Sequence, residues 1–555
     1  MKKNEILEIK TEEINALGFG VAKVDGMVLF IGQSAPGDVA KVRVIKVAKT
    51  YAIGKIEELI TPSPMRIRPS CPVSASCGGC AYSHISYDEE AKAKTESVRA
   101  ALRKEGLSHI SVTPLTSPSG TKAYRNKAQM PFAPDGSLGY FAPRSHRVVV
   151  PKDGCELLPD AFVGICDIVS SFVKKKGISV YDEESGKGLM RHLYLRMGVN
   201  TGEVMVCLVI NGKEMPGISE LVGRLYTKYP EIRTVVLNEN REKTNVILGG
   251  KCHTVFGDGI ITDTLCGNVY EISPLSFYQI NHATAEAIYE KAIDLAELSE
   301  NDVVADLYCG IGTIGLSIAK KADISRLVGV EIIPDAVKNA KKNAEINSIK
   351  NASFYCGDAN DPHIEGCNVI FVDPPRKGLS KGLIERIGEL QPDKVIYISC
   401  GVDTFARDLR LFKESGYETD TVYPYDMFPR TAHVECLGVL RRKGTVHNMK
   451  LFPAPFGMIK SGQKTIELRL YDEKRRKIKA GDTIVFTNTD NGETVTKTVA
   501  KLHLFDNFGE LYGALPLLKC GYTAENVDKA HPDDMYQYYS AEEQKEYGVV
   551  GIELC

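Results

Sequence analysis

The chain has 555 residues, and its 69 Lys and Arg against 71 Asp and Glu leave a net charge of −2. That length exceeds what one hydrophobic core serves and predicts about three or four domains, while apolar and charged fractions of 43% and 25% exclude a largely disordered chain. No run approaches the roughly 20 apolar residues of a membrane span, and the N-terminus, Met-Lys-Lys-Asn-Glu, lacks the form of a signal peptide, so a cytoplasmic protein with no membrane partner is expected.

Residues 1–60 read as short strands, Met27–Ile31 and the alternating Val39–Val47 among them, separated by Gly18-Phe19-Gly20, Asp25-Gly26 and Ala35-Pro36-Gly37-Asp38. This pattern predicts an OB-like β-barrel and resembles a TRAM domain, which implies RNA binding. Lys41, Arg43, Lys46, Lys49 and Lys55 occur there with no acid between Lys41 and Lys55. A second basic stretch runs from Lys122 to Lys152. Two such stretches flanking a cysteine cluster fit a polyanion track.

Residues 61–270 are expected to form a central α+β domain with a helix at Glu89–Lys104. Strands are expected at Leu193–Val199, Val204–Ile210 and Thr234–Asn238, and residues 120–270 read as strand-rich. Most of the 15 cysteines are scattered singly and read as small buried hydrophobes. Cys71, Cys77 and Cys80 are grouped, and Cys155 stands farther on. Four thiolates can hold zinc or an iron–sulfur cluster. Zinc sites favour two close Cys pairs, and only Cys77-Gly-Gly-Cys80 qualifies, so a [4Fe–4S] cluster suits the pattern better.

From residue 271 to 443 strands and helices alternate: helix His282–Leu298, strand Val303–Leu307, helix Ile314–Ala322, strand Leu327–Glu331, helix Pro334–Ile346, strands Ser353–Tyr355 and Asn368–Val372, helix Lys381–Leu390 and strand Lys394–Ser399. This order predicts a Rossmann-like, doubly wound sheet. Asp306-Leu-Tyr-Cys-Gly310-Ile-Gly312-Thr-Ile-Gly315 joins a strand to a helix, where glycines let a ligand approach the helix N-terminus. Glu331 ends the next strand, about 20 residues on, where an acid can meet ribose hydroxyls. Asp358 follows the third strand, where it could meet an adenine amino group. No Gly-Lys-Ser/Thr follows the loop, which argues against a triphosphate P-loop.

The fourth strand runs into Asp373-Pro374-Pro375-Arg376-Lys377-Gly378, and the fifth ends at Ser399-Cys400-Gly401. Both ends face the ligand crevice of an open α/β sheet. Arg430-Thr-Ala-His433-Val434-Glu435 precedes a further apolar strand. Uracil C5 is a weak nucleophile. Addition of a thiolate at C6 makes it competent, and a base must then remove the C5 proton. Cys400 and Glu435 suit these two tasks.

The segments Asp306–Gly315, Asp373–Gly378, Ser399-Cys400 and His433-Val434-Glu435, in this order, resemble the RNA uracil-5-methyltransferase family over roughly residues 1–443. The resemblance implies S-adenosylmethionine (SAM) as methyl donor, Cys400 as nucleophile, Glu435 as general base and Asp373 as a contact to the uracil edge. It also implies SAM contacts from Gln279, Tyr308, Glu331 and Asp358. The family usually carries Asn-Pro after the nucleophile, whereas this chain has Gly401-Val402, so a different local turn is expected. All four grouped cysteines are similar to those of the Fe–S-containing branch that acts on 23S rRNA, which implies that RNA as partner, and no DNA. A structural cluster would tie Cys155 to the earlier loop and fix the basic segments between them.

The last unit, residues 449–555, is expected to be a small α+β module with helix Pro455–Lys460 and strands Thr465–Arg469 and Thr483–Thr487. Pro455–Arg469 and Lys479-Ala-Gly481-Asp482 resemble an ASCH domain, which implies an accessory that binds RNA or recognises nucleotides. Lys464 matches the lysine of hydrolytic members, but Glu467 stands where they place threonine. Three rival readings follow from the whole: the same chemistry on tRNA, a non-catalytic Fe–S RNA-binding sensor, and hydrolysis of acetylated cytidine by the C-terminal module.

Overall fold

The computed structural model describes residues 1–360 and 362–555 and divides into two compact units. The first comprises residues 1–415 and 419–440, the second residues 416–418 and 441–555. Among the described residues no helix is long and apolar enough to cross a membrane.

The first unit opens with a six-stranded sheet in the order Ile6–Lys10, Val39–Val47, Tyr51–Thr61, Met27–Gly32, Gly20–Val24, Glu13–Ile14. Alternation along Val39–Val47 sends Ala40, Val42 and Val44 into its core beside Leu29 and Ile31. A five-stranded sheet follows, ordered Lys251–Phe256, Ile232–Glu239, Val204–Ile210, Met190–Met197, Lys127–Pro131. The strand-rich reading of residues 120–270 needs correction. Helices Asp160–Lys176 and Ile218–Lys228 also lie there. Phe162, Ile165, Val169, Phe172 and Val173 sit on one helical face of the first and are buried against this sheet.

The methyl-transfer candidate region forms a larger sheet whose strand order is Ala352–Cys356, Arg326–Glu331, Val303–Leu307, Val369–Val372, Lys394–Ser399, Glu435–Arg442, Thr421–Tyr425. The first five strands are parallel, as the alternating pattern predicts. Ser111–Val112 adds to the edge strand Thr421–Tyr425. The chain order therefore reverses between Val303–Leu307 and Val369–Val372, and the crevice at that switch point is where ligands bind in such sheets.

Helix Tyr87–Lys104 is joined to this region through buried charge. Lys94 donates to Glu90 at 2.7 Å and to Asp426 at 2.8 Å, with all three side chains at most 1% exposed. Arg430 completes the group: its backbone N–H donates to Glu90 at 2.7 Å and its guanidinium to Glu90 at 3.2 Å. Tyr87 Oη donates to Asp426 at 2.8 Å.

The second unit is a five-stranded sheet ordered Val446–Leu451, Thr483–Asn488, Thr494–Phe505, Val549–Leu554, Ile466–Leu470. Helices Pro453–Ser461, Phe508–Ala514 and Ala541–Tyr547 accompany it. Asp482 is buried and organises its start, accepting from Arg442 at 2.8 Å and from the Thr445 N–H at 2.9 Å. The compact unit extends back from the expected Met449 to Arg441, because strand Val446–Leu451 pairs with Thr483–Asn488.

Removing one member of a buried, fully paired charge group leaves the others uncompensated, which costs about 3–5 kcal/mol. Lys94→Met is expected to destabilise the first unit by about that amount. Chemical denaturation of the wild type and the variant checks it, and unchanged midpoints would show that the group contributes nothing.

Candidate active site

The turn after Val303–Leu307 is shaped by left-handed backbone at Tyr308 (φ 63°), Gly310 (φ 55°) and Gly312 (φ 85°). A β-carbon on Gly315 would stand 2.8 Å from the Asp306 carboxylate, which accepts the Gly315 N–H. Glycine at 315 is therefore a packing requirement as well as a way to expose the helix start. Burial raises the Asp306 carboxyl to about 7, and the Gly315 N–H only partly offsets this. Glu331 accepts from the Gly310 N–H at 3.1 Å and the Ile333 N–H at 2.9 Å, so it braces the loop from the neighbouring strand. Asp358 is exposed and holds Asn360. It faces Tyr308 closely enough to help raise that phenol, after burial itself. Ile332 and Ile333 stand 66% and 57% exposed beside Glu331, leaving an uncovered apolar strip that a flat ring could cover. These features form a cradle that suits an adenosine group.

Gln279 lies in the segment before helix His282–Ala296. Its carbonyl accepts from Asn126 at 2.9 Å, which fixes the loop before helix His282–Ala296. Its side chain bonds to Tyr289, a buried phenol raised by desolvation and by the nearby Asp373. Gln279, Tyr289 and Asp373 thus share one wall.

Cys400, Asp373 and Glu435 converge as their positions on the sheet predict. Glu435 is 3% exposed. Burial first, then repulsion from Asp373, push its carboxyl well above the usual range, and Arg376 opposes this. Asp373 is raised to about 7 by burial. The Cys400 thiol is raised to about 11 by burial, Glu435 and Asp373, while Arg376 pulls it down by charge and by hydrogen bonding. Arg376 also donates to His433 Nε2 at 3.3 Å. Burial and the cations Arg376, Lys94 and Arg125 lower His433 to about 4, so it is a neutral acceptor for Arg376 at physiological pH. Arg376 is consequently the local cation of a pocket with three acidic groups. The sequence motif contains Arg376 and His433, but residue type alone does not show that they meet.

The Gly401-Val402 departure has a geometric reason. A β-carbon at residue 401 would lie 2.8 Å from the Arg376 carbonyl oxygen and 2.4 Å from Thr404 Oγ1. Thr404 ties the two loops together, donating to the carbonyls of Arg376 at 3.1 Å and Gly401 at 2.9 Å. Glycine allows the Asp373–Gly378 turn to rest directly on the turn carrying Cys400.

Cys71, Cys77, Cys80 and Cys155 line one small cavity with Arg125 and Tyr140. Burial raises Cys77, Cys80 and Cys155, with mutual repulsion among the thiols adding to it; Cys80 reaches about 12. Four thiols collected at such a cost in desolvation fit a positively charged centre. Tetrahedral zinc would bring its sulfurs to about 3.8 Å from one another, given Zn–S bonds of roughly 2.3 Å. Among the described residues, Cys266, Glu286 and Glu290 form a group with all ligand atoms within 4.8 Å, and the four cysteines do not. Just beyond Cys80, the N–H groups of Ala81 and Tyr82 donate to the Arg430 carbonyl at 2.8 and 3.2 Å. The cysteine loop therefore holds the segment that leads to Glu435.

Comparison with known proteins places these features in context. Residues 363–443 match a family model described as tRNA (uracil-5-)-methyltransferase, and residues 298–399 match a methyltransferase domain. Residues 2–56 match a TRAM domain and 449–554 an ASCH domain. An uncharacterised RNA methyltransferase of Halalkalibacterium halodurans is 39% identical over 453 residues, 80% of this chain and 98% of the relative. One from Clostridium tetani is 36% identical over 79% of this chain and 96% of its own. The crystal structure of the Pyrococcus abyssi tRNA (uracil-54, C5)-methyltransferase with S-adenosyl-L-homocysteine aligns at a TM-score of 0.64 and 27% identity, covering 78% of this chain and all of that one.

Loss of Arg376 removes the cation that lowers the Cys400 thiol. Arg376→Ala is expected to move its titration above about 11 and to slow alkylation at pH 8. Iodoacetamide labelling followed by peptide mass spectrometry reads Cys400 separately from the other thiols. Unchanged labelling of Cys400 would refute this control.

Proposed function

We propose, from the premise that this chain belongs to the RNA uracil-5-methyltransferase family, that it transfers a methyl group from SAM to C5 of a uridine in 23S rRNA. The observation that carries the reaction is the convergence of Cys400, Asp373 and Glu435 on one pocket around Arg376.

Gln279, Tyr308, Glu331 and Asp358 would hold SAM, whose sulfonium supplies an electrophilic methyl group when bound. Asp373 would accept the uracil N3–H. That bond partly neutralises Asp373 and relaxes the repulsion that, after burial, raises the Glu435 carboxyl. The Cys400 thiol gives its proton to water, the thiolate being favoured by Arg376, and the sulfur adds to C6. The C5–C6 π electrons move toward the C4 carbonyl, and C5 then takes the methyl group as its bond to the donor sulfur breaks, leaving S-adenosylhomocysteine. Glu435 removes the C5 proton, the C5=C6 bond re-forms, and the C6–S bond breaks to release the Cys400 thiolate.

Cys71, Cys77, Cys80 and Cys155 would hold a [4Fe–4S] cluster whose role here would be structural. The resemblance of this cysteine set to the rRNA branch supports 23S rRNA as substrate. The TRAM-like residues 1–60 and the central residues 61–270 would supply the RNA surface for the catalytic residues 271–443. The second reading is the same chemistry on tRNA, favoured by the Pyrococcus abyssi structure.

A covalent complex with RNA containing 5-fluorouridine tests the chemistry, because fluorine at C5 cannot leave as a proton. Wild type is expected to form a denaturation-resistant adduct and Cys400→Ala none. Glu435→Gln should slow turnover by about 10²–10⁴-fold, the range for a lost general base, with SAM binding retained. Equal adduct in Cys400→Ala would sink the mechanism. Mapping 5-methyluridine in 23S rRNA and tRNA from cells lacking the protein separates the two substrates. Cys80→Ala is expected to lose iron and most RNA binding, and an iron-free variant with full activity would remove the scaffold role.

A further inference from the structure

The second unit contains a cavity of about 400 Å³ that plays no part in methyl transfer. Lys464, Glu467 and Arg469 line it, on and just before strand Ile466–Leu470. Their side chains are only 11%, 4% and 18% exposed. Lys464 Nζ lies 2.9 Å from Glu467 Oε2, and Arg469 Nε lies 2.9 Å from Glu467 Oε1. Both approaches are off-axis: neither Glu467 Oε2 nor Arg469 Nε makes a directed hydrogen bond. Arg469 is otherwise anchored, donating to Tyr539 Oη at 3.3 Å and to the Lys450 carbonyl at 3.2 Å.

The walls are aromatic and fixed. Tyr512 and Tyr522 share a hydroxyl hydrogen bond of 2.8 Å, and Tyr522 donates onward to Asp534 at 2.9 Å. Gly521, at φ 108°, carries the chain past the Lys464 stem, where a β-carbon would be 3.1 Å from Lys464 Cδ. The volume is in the range of small-molecule sites, and tyrosine walls favour a planar ligand.

A carboxylate that lines the cavity between two cationic donors is complementary to an N–H next to a carbonyl. Uracil presents that pattern at N3–H, and guanine at N1–H beside O6. Adenine and cytosine present a ring lone pair at the equivalent positions, which Glu467 would repel. We infer that this cavity binds a keto nucleobase, uracil or guanine, with its ring N–H on Glu467 and its carbonyl on Lys464 and Arg469. This site stands independently of the methyl-transfer reading, since no residue is shared between them.

Equilibrium dialysis of the full chain against UMP, GMP, AMP and CMP, with S-adenosylhomocysteine saturating, tests the inference. UMP or GMP is expected to bind at one site at least about tenfold more tightly than AMP and CMP, and Glu467→Gln should abolish that preference. Equal binding of the four nucleotides, or an undiminished preference in Glu467→Gln, would overturn it. Cross-linking of 4-thiouridine and 6-thioguanosine monophosphates to wild-type protein needs no variant. Adducts are expected on the peptides carrying Tyr512, Tyr522 or Tyr539, and adducts confined to residues 1–440 would count against the site. Oligonucleotides of U or G that bind more tightly than the monophosphates would assign the base to an RNA chain, and equal affinities to a free nucleotide. Release of acetate from N4-acetylcytidine, lost in Lys464→Met, would replace binding by hydrolysis.

Discussion

The first unit depends on the burial of Lys94 between Glu90 and Asp426. These residues are hydrogen-bonded across 332 positions of sequence. A single lysine satisfies two buried carboxylates, and Arg430 supplies the remaining positive charge. Because Glu90 also receives the Arg430 N–H, the group fixes backbone as well as side chains. The segment from Asp426 to His433 gains its shape from that anchoring. Glu435 therefore stands at the end of a segment held from outside the catalytic sheet.

The same segment meets the cysteine loop through the Arg430 carbonyl, which receives two N–H groups. Arg430 is left-handed at φ 71°, a conformation unusual for a side-chain-bearing residue. Contacts on every side of it maintain that geometry. A centre held by the four cysteines would thus stiffen the catalytic segment without approaching the reacting atoms. In the pocket itself the balance is opposite in sign. Asp373, Glu435 and Cys400 are raised by burial, with Arg376 as the opposing charge. A thiol held at about 11 is largely unreactive in the free protein. In the mechanism proposed above, its activation would belong to the substrate-bound state.

Much of the parallel sheet was legible in the sequence because each strand there is a short apolar run between periodic helices. Val303–Leu307, Pro334–Ile346, Lys381–Leu390 and Lys394–Ser399 fall where the pattern places them. The glycine loop and the Asp373–Gly378 turn were legible because ligand approach restricts residue types. Helix Asp160–Lys176 carried its own apolar spacing, but neighbouring strands dominated the reading of that region. The charge group around Lys94 was not legible at all. Glu90 and Lys94 share a helix at i,i+4 spacing, but Asp426 and Arg430 lie on a distant segment, and locally each reads as an ordinary solvated residue. The meeting of Arg376 with His433 and Cys400 was hidden for the same reason, since adjacency across strand ends leaves no mark in spacing. The second unit's early start at Arg441 was masked by a polar stretch that reads as linker but supplies a strand.

The bare α-carbon of Gly401 has a consequence for sequence change in this family. With no room beside the Arg376 carbonyl, a side chain at 401 requires the backbone of the 373–378 turn to shift. Asn-Pro after Cys400, in place of Gly401-Val402, would place a β-carbon there and so require the opposing turn to move or the two loops to part. The two motifs, separate in sequence, are inherited as one mechanical part.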